Sequence, residues 1–110
     1  MRHEIDKYLE DIKQAIEIIE ERTQGMKYED YSSDLTIQDS VNLRLLIIGE
    51  AMNHILKLDP AVNISQTREI IGMRNRIVHG YDNILDSIVW DTITEGLPTL
   101  KCEVKKLLKK

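Results

Sequence analysis

The stretch Leu35–Leu58, LTIQDSVNLRLLIIGEAMNHILKL, decides the fold of this chain. Its apolar residues recur every three or four positions, which is the period of an α-helix. The main apolar stripe consists of Val41, Leu45, Ile48, Met52 and Ile55. Ser33 or Asp34 can cap the start of this helix, and Asp59-Pro60 can end it. The sequence therefore predicts a long helix from about Leu35 to Leu58 with one buried side.

A second stripe on the same helix widens the surface that must be covered. It consists of Ile47, Ala51, His54 and Leu58. The two stripes together are broader than packing against a single neighbour requires. We therefore expect two partners, one within the bundle and one across a dimer. Gly49 has no side chain and can let another helix approach closely.

The remaining helices are predicted from the same periodicity and from their ends. A first helix spans about Ile5 to Gln24, and Gly25 stops it. A last helix begins where Asp86 or Ser87 provides a cap, and its apolar pattern continues on both sides of Pro98. The expected architecture is all-α, an up-and-down helical bundle with short connections.

Length and composition narrow the class of protein. The 110 residues fit a single domain, 1–110, and the two prolines, five glycines and absence of phenylalanine favour helices. A single cysteine, Cys102, excludes an intramolecular disulfide and suits a reducing compartment. The start carries acids rather than a signal peptide, and the longest apolar run, Leu45 to Ile48, is far too short to cross a membrane. We expect a soluble, cytoplasmic protein.

The chemistry is concentrated in RNRIVHGY, residues 74–81, at the end of another helical pattern that begins near Ser65 or Gln66. On an ideal helix, Arg74 falls near the middle of an apolar arc. Burying an uncompensated guanidinium is strongly unfavourable. Arg74 must therefore meet a carboxylate such as Glu50, a subunit interface or an anionic ligand.

The polar residues that follow Arg74 complete a candidate phosphate-handling site. Asn75 and His79 are four residues apart and share one flank of the helix, so the amide can orient the imidazole. Gly80 permits a left-handed turn that ends the helix. Tyr81 is then expected on that turn.

The spacing of these residues also matches a known family. An arginine, a polar residue, a histidine five positions after the arginine and a tyrosine two positions further resemble the signature of the HEPN superfamily, most closely its HepT-like toxin branch. The flanks match at similar distances in Ile48-Gly49-Glu50-Ala51, Ile71-Gly72-Met73, Ile88-Val89-Trp90 and Leu97-Pro98. Many relatives carry Pro-Trp where this chain reads Ser65-Gln66-Thr67. The resemblance implies a HEPN-like helical bundle that forms a homodimer.

The resemblance also implies a function. HEPN ribonucleases cleave RNA without a metal in a cleft at the subunit interface, and HepT-like members are toxins paired with a nucleotidyltransferase antitoxin. The antitoxin adds AMP to the motif tyrosine. On this chain the catalytic residues would be Arg74, Asn75 and His79, the residue that receives AMP would be Tyr81, and further RNA contacts would come from Arg76 and Arg68.

Other functions remain open. The net charge of −4 argues against a general nucleic-acid binder, although residues 40–79 hold five basic and three acidic residues. The chain can be a non-catalytic HEPN adaptor that binds a nucleotidyltransferase or a nucleotide, or a purely structural helical dimer. Histidines at positions 3, 54 and 79 have no metal-ligand spacing, so we expect neither a metal nor another cofactor.

Overall fold

The computed structural model describes residues 2–80 and 85–109, and the regular structure in these residues is helical. The helices are α1 (Arg2–Thr23), α2 (Tyr28–Ser32), α3 (Leu35–Leu58), α4 (Thr67–His79), α5 (Asp86–Asp91) and α6 (Leu97–Leu108). A π-helical turn, Thr92–Gly96, joins α5 to α6. The all-α prediction is confirmed. Within the described residues, no helix combines the length and apolarity that a membrane span requires.

Helix α3 lies at the centre of the packing, with α1 and α4 as its main neighbours. Its predicted bounds are confirmed, and the Asp34 side chain accepts a hydrogen bond from the Ile37 N–H at 3.1 Å. The whole main stripe is buried. In the second stripe, Ala51 is buried whereas His54 is exposed. The His54 ring stacks on the Tyr8 ring at 4.7 Å between centroids, so part of the second stripe is only partly covered by the described residues.

Helix α1 packs against α3 and α6, and it ends as predicted. Gly25 has a φ of +77°, which is the left-handed conformation that glycine adopts without strain. Just before this turn, the Thr23 hydroxyl donates to the Ile19 carbonyl at 2.8 Å, which places a buried hydroxyl in a hydrogen bond. The turn sends the chain into α2.

Short helix α2 is anchored by an aromatic contact to α5. The Tyr31 ring is 1% exposed, and its centroid lies 5.3 Å from the Trp90 ring. Burial raises the pKa of the Tyr31 hydroxyl, and the nearby Asp86 carboxylate raises it further. The two rings fix the start of the last helical segment against α2.

The last helical segment differs from the prediction at its start. Leu85, with extended backbone angles, is the N-cap, and Asp86 is already helical, so the cap predicted at Asp86 or Ser87 is wrong. The prediction that the chain stays helical through Pro98 is confirmed. The Leu97 N–H bonds to the Thr92 carbonyl, five residues back, which widens the helix just before the proline.

Candidate active site

The candidate site is built where α4 crosses α3 at a glycine. A Cβ placed on Gly49 would overlap the Arg74 Cβ and stand 2.7 Å from the Arg74 Cγ and 3.5 Å from its Cα. Only glycine leaves room for the stem of Arg74 at this crossing. The predicted close approach of another helix at Gly49 is therefore confirmed, and that helix is α4.

This crossing determines the partner of Arg74. Its Nη2 forms an ion pair with Glu50 Oε1, and its Nη1 donates to Asn75 Oδ1 at 2.9 Å. Of the partners that the sequence allowed, the carboxylate of Glu50 is the one found. The pair is only partly buried, with 25% of the Arg74 side chain and 47% of the Glu50 side chain exposed. Arg74 is thus held in place at the surface.

The guanidinium keeps unused hydrogen-bonding capacity. An arginine has five N–H donors, and among the described residues Arg74 forms one hydrogen bond, from Nη1 to Asn75, beside the ion pair of Nη2 with Glu50. The Nε atom is buried and has no hydrogen-bond partner within the described residues. A further acceptor, from an anion or from a second protein surface, would complete the hydrogen bonding of Arg74.

The expected pairing of Asn75 with His79 is wrong. Asn75 Oδ1 accepts from Arg74, and no hydrogen bond joins the two side chains of Asn75 and His79. The neighbouring guanidinium is a charged donor, and charged donors form stronger hydrogen bonds with an amide oxygen than uncharged donors do. His79 is exposed at the end of α4, and nothing in the described residues fixes its ring.

The end of α4 also departs from the expectation. Gly80 has a φ of 173°, which is extended backbone, so the predicted left-handed turn is wrong at this residue. The Gly80 N–H still closes the helix by donating to the Arg76 carbonyl at 3.0 Å. The Tyr81 prediction falls on a residue outside the described ranges.

The two arginines predicted as further RNA contacts lie on α4. Arg76 and Arg68 are both exposed. They add positive charge on the outside of the helix, whereas the charge of Arg74 is offset by Glu50. Their accessibility suits contact with a phosphate backbone.

Two exposed apolar residues share helix faces with the residues of the Arg74 ion pair. Leu43 on α3 is 50% exposed, and Val78 on α4 is 48% exposed. Leu43 lies seven residues before Glu50 and Val78 four residues after Arg74, spacings that place each on the same helix face as its charged neighbour. Leu43 belongs to neither predicted stripe of the long helix, so the apolar periodicity gave no sign of it.

The chain matches a known protein family over most of its length. Residues 12–107 match the family described as "Ribonuclease HepT-like", and this range contains Glu50, Arg74, Asn75 and His79. The chain belongs to the HepT-like family. The resemblance inferred from the motif spacing is therefore confirmed.

Two relatives illustrate how far the similarity extends beyond the motif. The HepT-like chain is 39% identical to a protein of Thermococcus cleftensis named "Probable ribonuclease HepT", over 93% of this chain and 94% of that one. It is 35% identical to a "Putative RNase" of Caldanaerobacter subterraneus subsp. tengcongensis, over 94% of this chain and 93% of that one. No solved structure matches the chain.

Proposed function

We propose that this HepT-like chain is a metal-independent endoribonuclease and the toxin of a toxin–antitoxin pair. Membership of a ribonuclease family supports RNA as the substrate. The observation that carries the proposal is the Arg74 guanidinium, held by Glu50 and Asn75 on the helix that ends at His79. This arrangement places a fixed cation and a titratable imidazole on one short helix.

The proposed reaction uses the nucleophile that RNA carries. The 2′-hydroxyl attacks the adjacent phosphorus, the bond to the 5′-oxygen breaks, and a cyclic phosphate and a free 5′-hydroxyl are formed. His79 transfers a proton, either from the attacking hydroxyl or to the leaving oxygen. The N–H groups of Arg74 that Glu50 and Asn75 leave free stabilise the negative charge on the phosphorane.

A homodimer would complete the set of catalytic groups. One chain supplies a single motif imidazole, whereas the reaction needs both an acid and a base. Two-fold pairing of the α3–α4 faces would bring two His79 and two Arg74 into one cleft. It would also bury Leu43 and Val78, which are half-exposed in one chain. The interface would therefore be apolar around a polar centre.

RNA cleavage in EDTA tests the proposed chemistry. His79→Ala and Arg74→Ala should each reduce cleavage on the order of 100-fold or more, as expected for loss of a proton-transfer or charge-stabilising group. Arg76→Ala is the matched control, because it removes an exposed arginine from the same helix and should reduce cleavage far less. Full activity of Arg74→Ala, with loss of activity in Arg76→Ala, would reverse the assignment.

A second candidate function is a non-catalytic adaptor for a nucleotidyltransferase. It is favoured by the ion pair itself, because Glu50 offsets the charge of Arg74 and no hydrogen bond to Asn75 orients His79. An adaptor would bind the nucleotidyltransferase tightly but would leave RNA intact at every concentration of the adaptor tested. RNA cleavage that disappears in His79→Ala would exclude this function.

We propose further that Tyr81 is the site of neutralisation by the antitoxin. A phosphodiester attached two residues after His79 would add negative charge and bulk near the position proposed for the RNA backbone. Incubation with the partner nucleotidyltransferase and ATP should add AMP to Tyr81, mapped by mass spectrometry, and should abolish cleavage. Tyr81→Phe should stay active after the same treatment. AMP found on Tyr28 or Tyr31, or full activity after complete modification of Tyr81, would contradict the proposal.

A further inference from the structure

A small cavity between α2, α3 and α5 is separate from the Arg74 site. Its volume is about 80 Å³, and the residues that matter for its chemistry are Tyr31, Leu35, Gln38, Asp39, Asn42 and Asp86. Asn42 lies eight residues before Glu50, which corresponds to about 12 Å along α3. The RNA chemistry proposed above uses none of these residues.

The side chain of Asn42 indicates that the cavity binds something. Asn42 is 8% exposed, and its Oδ1 atom has no hydrogen-bond partner within the described residues. A buried acceptor without a donor destabilises a fold, so such atoms are nearly always satisfied. A hydrogen-bond donor that enters this cavity would supply the missing partner.

The charges in the lining determine the kind of donor. Two carboxylates, Asp39 and Asp86, line the cavity, and no lysine or arginine among residues 2–80 and 85–109 does. The Gln38 amide nitrogen already donates to the Tyr31 carbonyl at 2.8 Å, so it does not supply the missing donor. A water molecule would satisfy Asn42 but would not offset the negative charge of Asp39, which is exposed to solvent, and of Asp86, which is partly buried. A cation that donates hydrogen bonds satisfies all three groups.

The rim of the cavity suggests what carries the cation. Leu35 lines the cavity and is 70% exposed, so the cavity that contains the two carboxylates also has an accessible apolar surface. Aliphatic stems of basic side chains lie along apolar surface while their charged ends reach polar groups. An alkyl chain could contact Leu35 while its charged end reaches Asn42.

We propose that this cavity binds an alkyl chain ending in an ammonium or guanidinium group. The head group would donate to Asn42 Oδ1 and lie between the carboxylates of Asp39 and Asp86, with its methylene groups against Leu35. A lysine or arginine side chain of a partner protein and a free alkylamine share this chemistry. The site is independent of RNA cleavage, so either proposal can fail without the other.

The test is a titration of the ¹⁵N-labelled full chain, followed by nuclear magnetic resonance. Butylguanidinium and butylammonium should shift the side-chain amide signal of Asn42 saturably, whereas neutral pentanol should not. Asp39→Asn and Asp86→Asn should each weaken binding about tenfold, the expected loss for a hydrogen bond to a charged group. Asp91→Asn is the matched control, because it removes a carboxylate from α5 outside this cavity and should leave binding unchanged.

Three results would overturn the proposal: no saturable shift with either cation, an equal shift with pentanol, or a shift caused by Mg²⁺ or Ca²⁺ but by neither organic cation. Circular dichroism must show that the variants are folded. Capped lysine and arginine peptides identify the source. Peptides that bind as tightly as the free cations support a partner side chain, and binding restricted to the free cations supports an alkylamine.

Discussion

Gly49→Ala tests whether the close crossing of α3 and α4 holds Arg74 in position at the candidate site. The added methyl group would overlap the Arg74 Cβ, which is fixed to the backbone and cannot rotate away. Relief therefore requires the two helices to separate. Overpacking costs about 1–3 kcal/mol, and we expect the upper end here because the contact involves backbone-fixed atoms. Alanine recovers about 1 kcal/mol of helix propensity. The free energy of unfolding should fall by about 2 kcal/mol.

Urea denaturation measures this change, with Gly72→Ala as the matched control. A Cβ on Gly72 meets nothing within 4 Å, so this variant should gain up to about 1 kcal/mol from helix propensity alone. Because helix separation would also pull Arg74 away from Glu50, Gly49→Ala should lose RNA cleavage under conditions where it remains folded. If both glycine variants were equally stabilised and equally active, the crossing would not hold the site as described.

Asp34→Ala removes the acceptor of the Ile37 N–H and should lower the free energy of unfolding by about 1 kcal/mol in urea denaturation, and an unchanged value would contradict the capping role. Leu43→Glu should convert the proposed homodimer to monomer in light scattering, because it places a charge in the apolar part of the interface, and a dimer of unchanged affinity would rule out this face. A hydrogen bond to Glu20 raises the pKa of Lys101 above its usual 10.5. The coupling energy between Lys101 and Glu20 should therefore be intact at neutral pH and should be lost as the pH rises through the raised pKa of Lys101. A double-mutant cycle repeated at neutral and strongly alkaline pH measures that coupling, and pH-independent coupling would exclude the ion pair as its origin.

The bounds of α3 could be predicted because the signals that set them are local. Asp34 caps one end, Asp59-Pro60 follows the other, and the main stripe lies between them. The partner of Arg74 could be reduced to a short set of possibilities by the cost of burying its charge. Selecting Glu50 required the crossing of two helices, which depends on how the whole bundle packs.

The wrong predictions for Gly80 and for the partner of Asn75 also depend on how the whole bundle packs. Glycine allows left-handed backbone at Gly80 but equally allows the extended conformation observed there. The amide of Asn75 could serve either His79 or Arg74, and only the position of the guanidinium next to Glu50 decides between them. In each case the local sequence permitted two states, and tertiary packing selected one.

The π-helical turn between α5 and α6 gives the last helical segment an adjustable length. Val89, Ile93 and Leu97 are buried although they are spaced by four residues, a spacing that drifts around an ordinary α-helix by about 40° at each step. The wide turn absorbs part of this drift. A π-helical turn holds one residue more than an α-helical turn, so deleting one residue within Thr92–Gly96 would restore the ordinary helical repeat and leave α6 nearly in its present phase relative to α5. The segment can therefore lose one residue at this turn while the same face of α6 still meets α1.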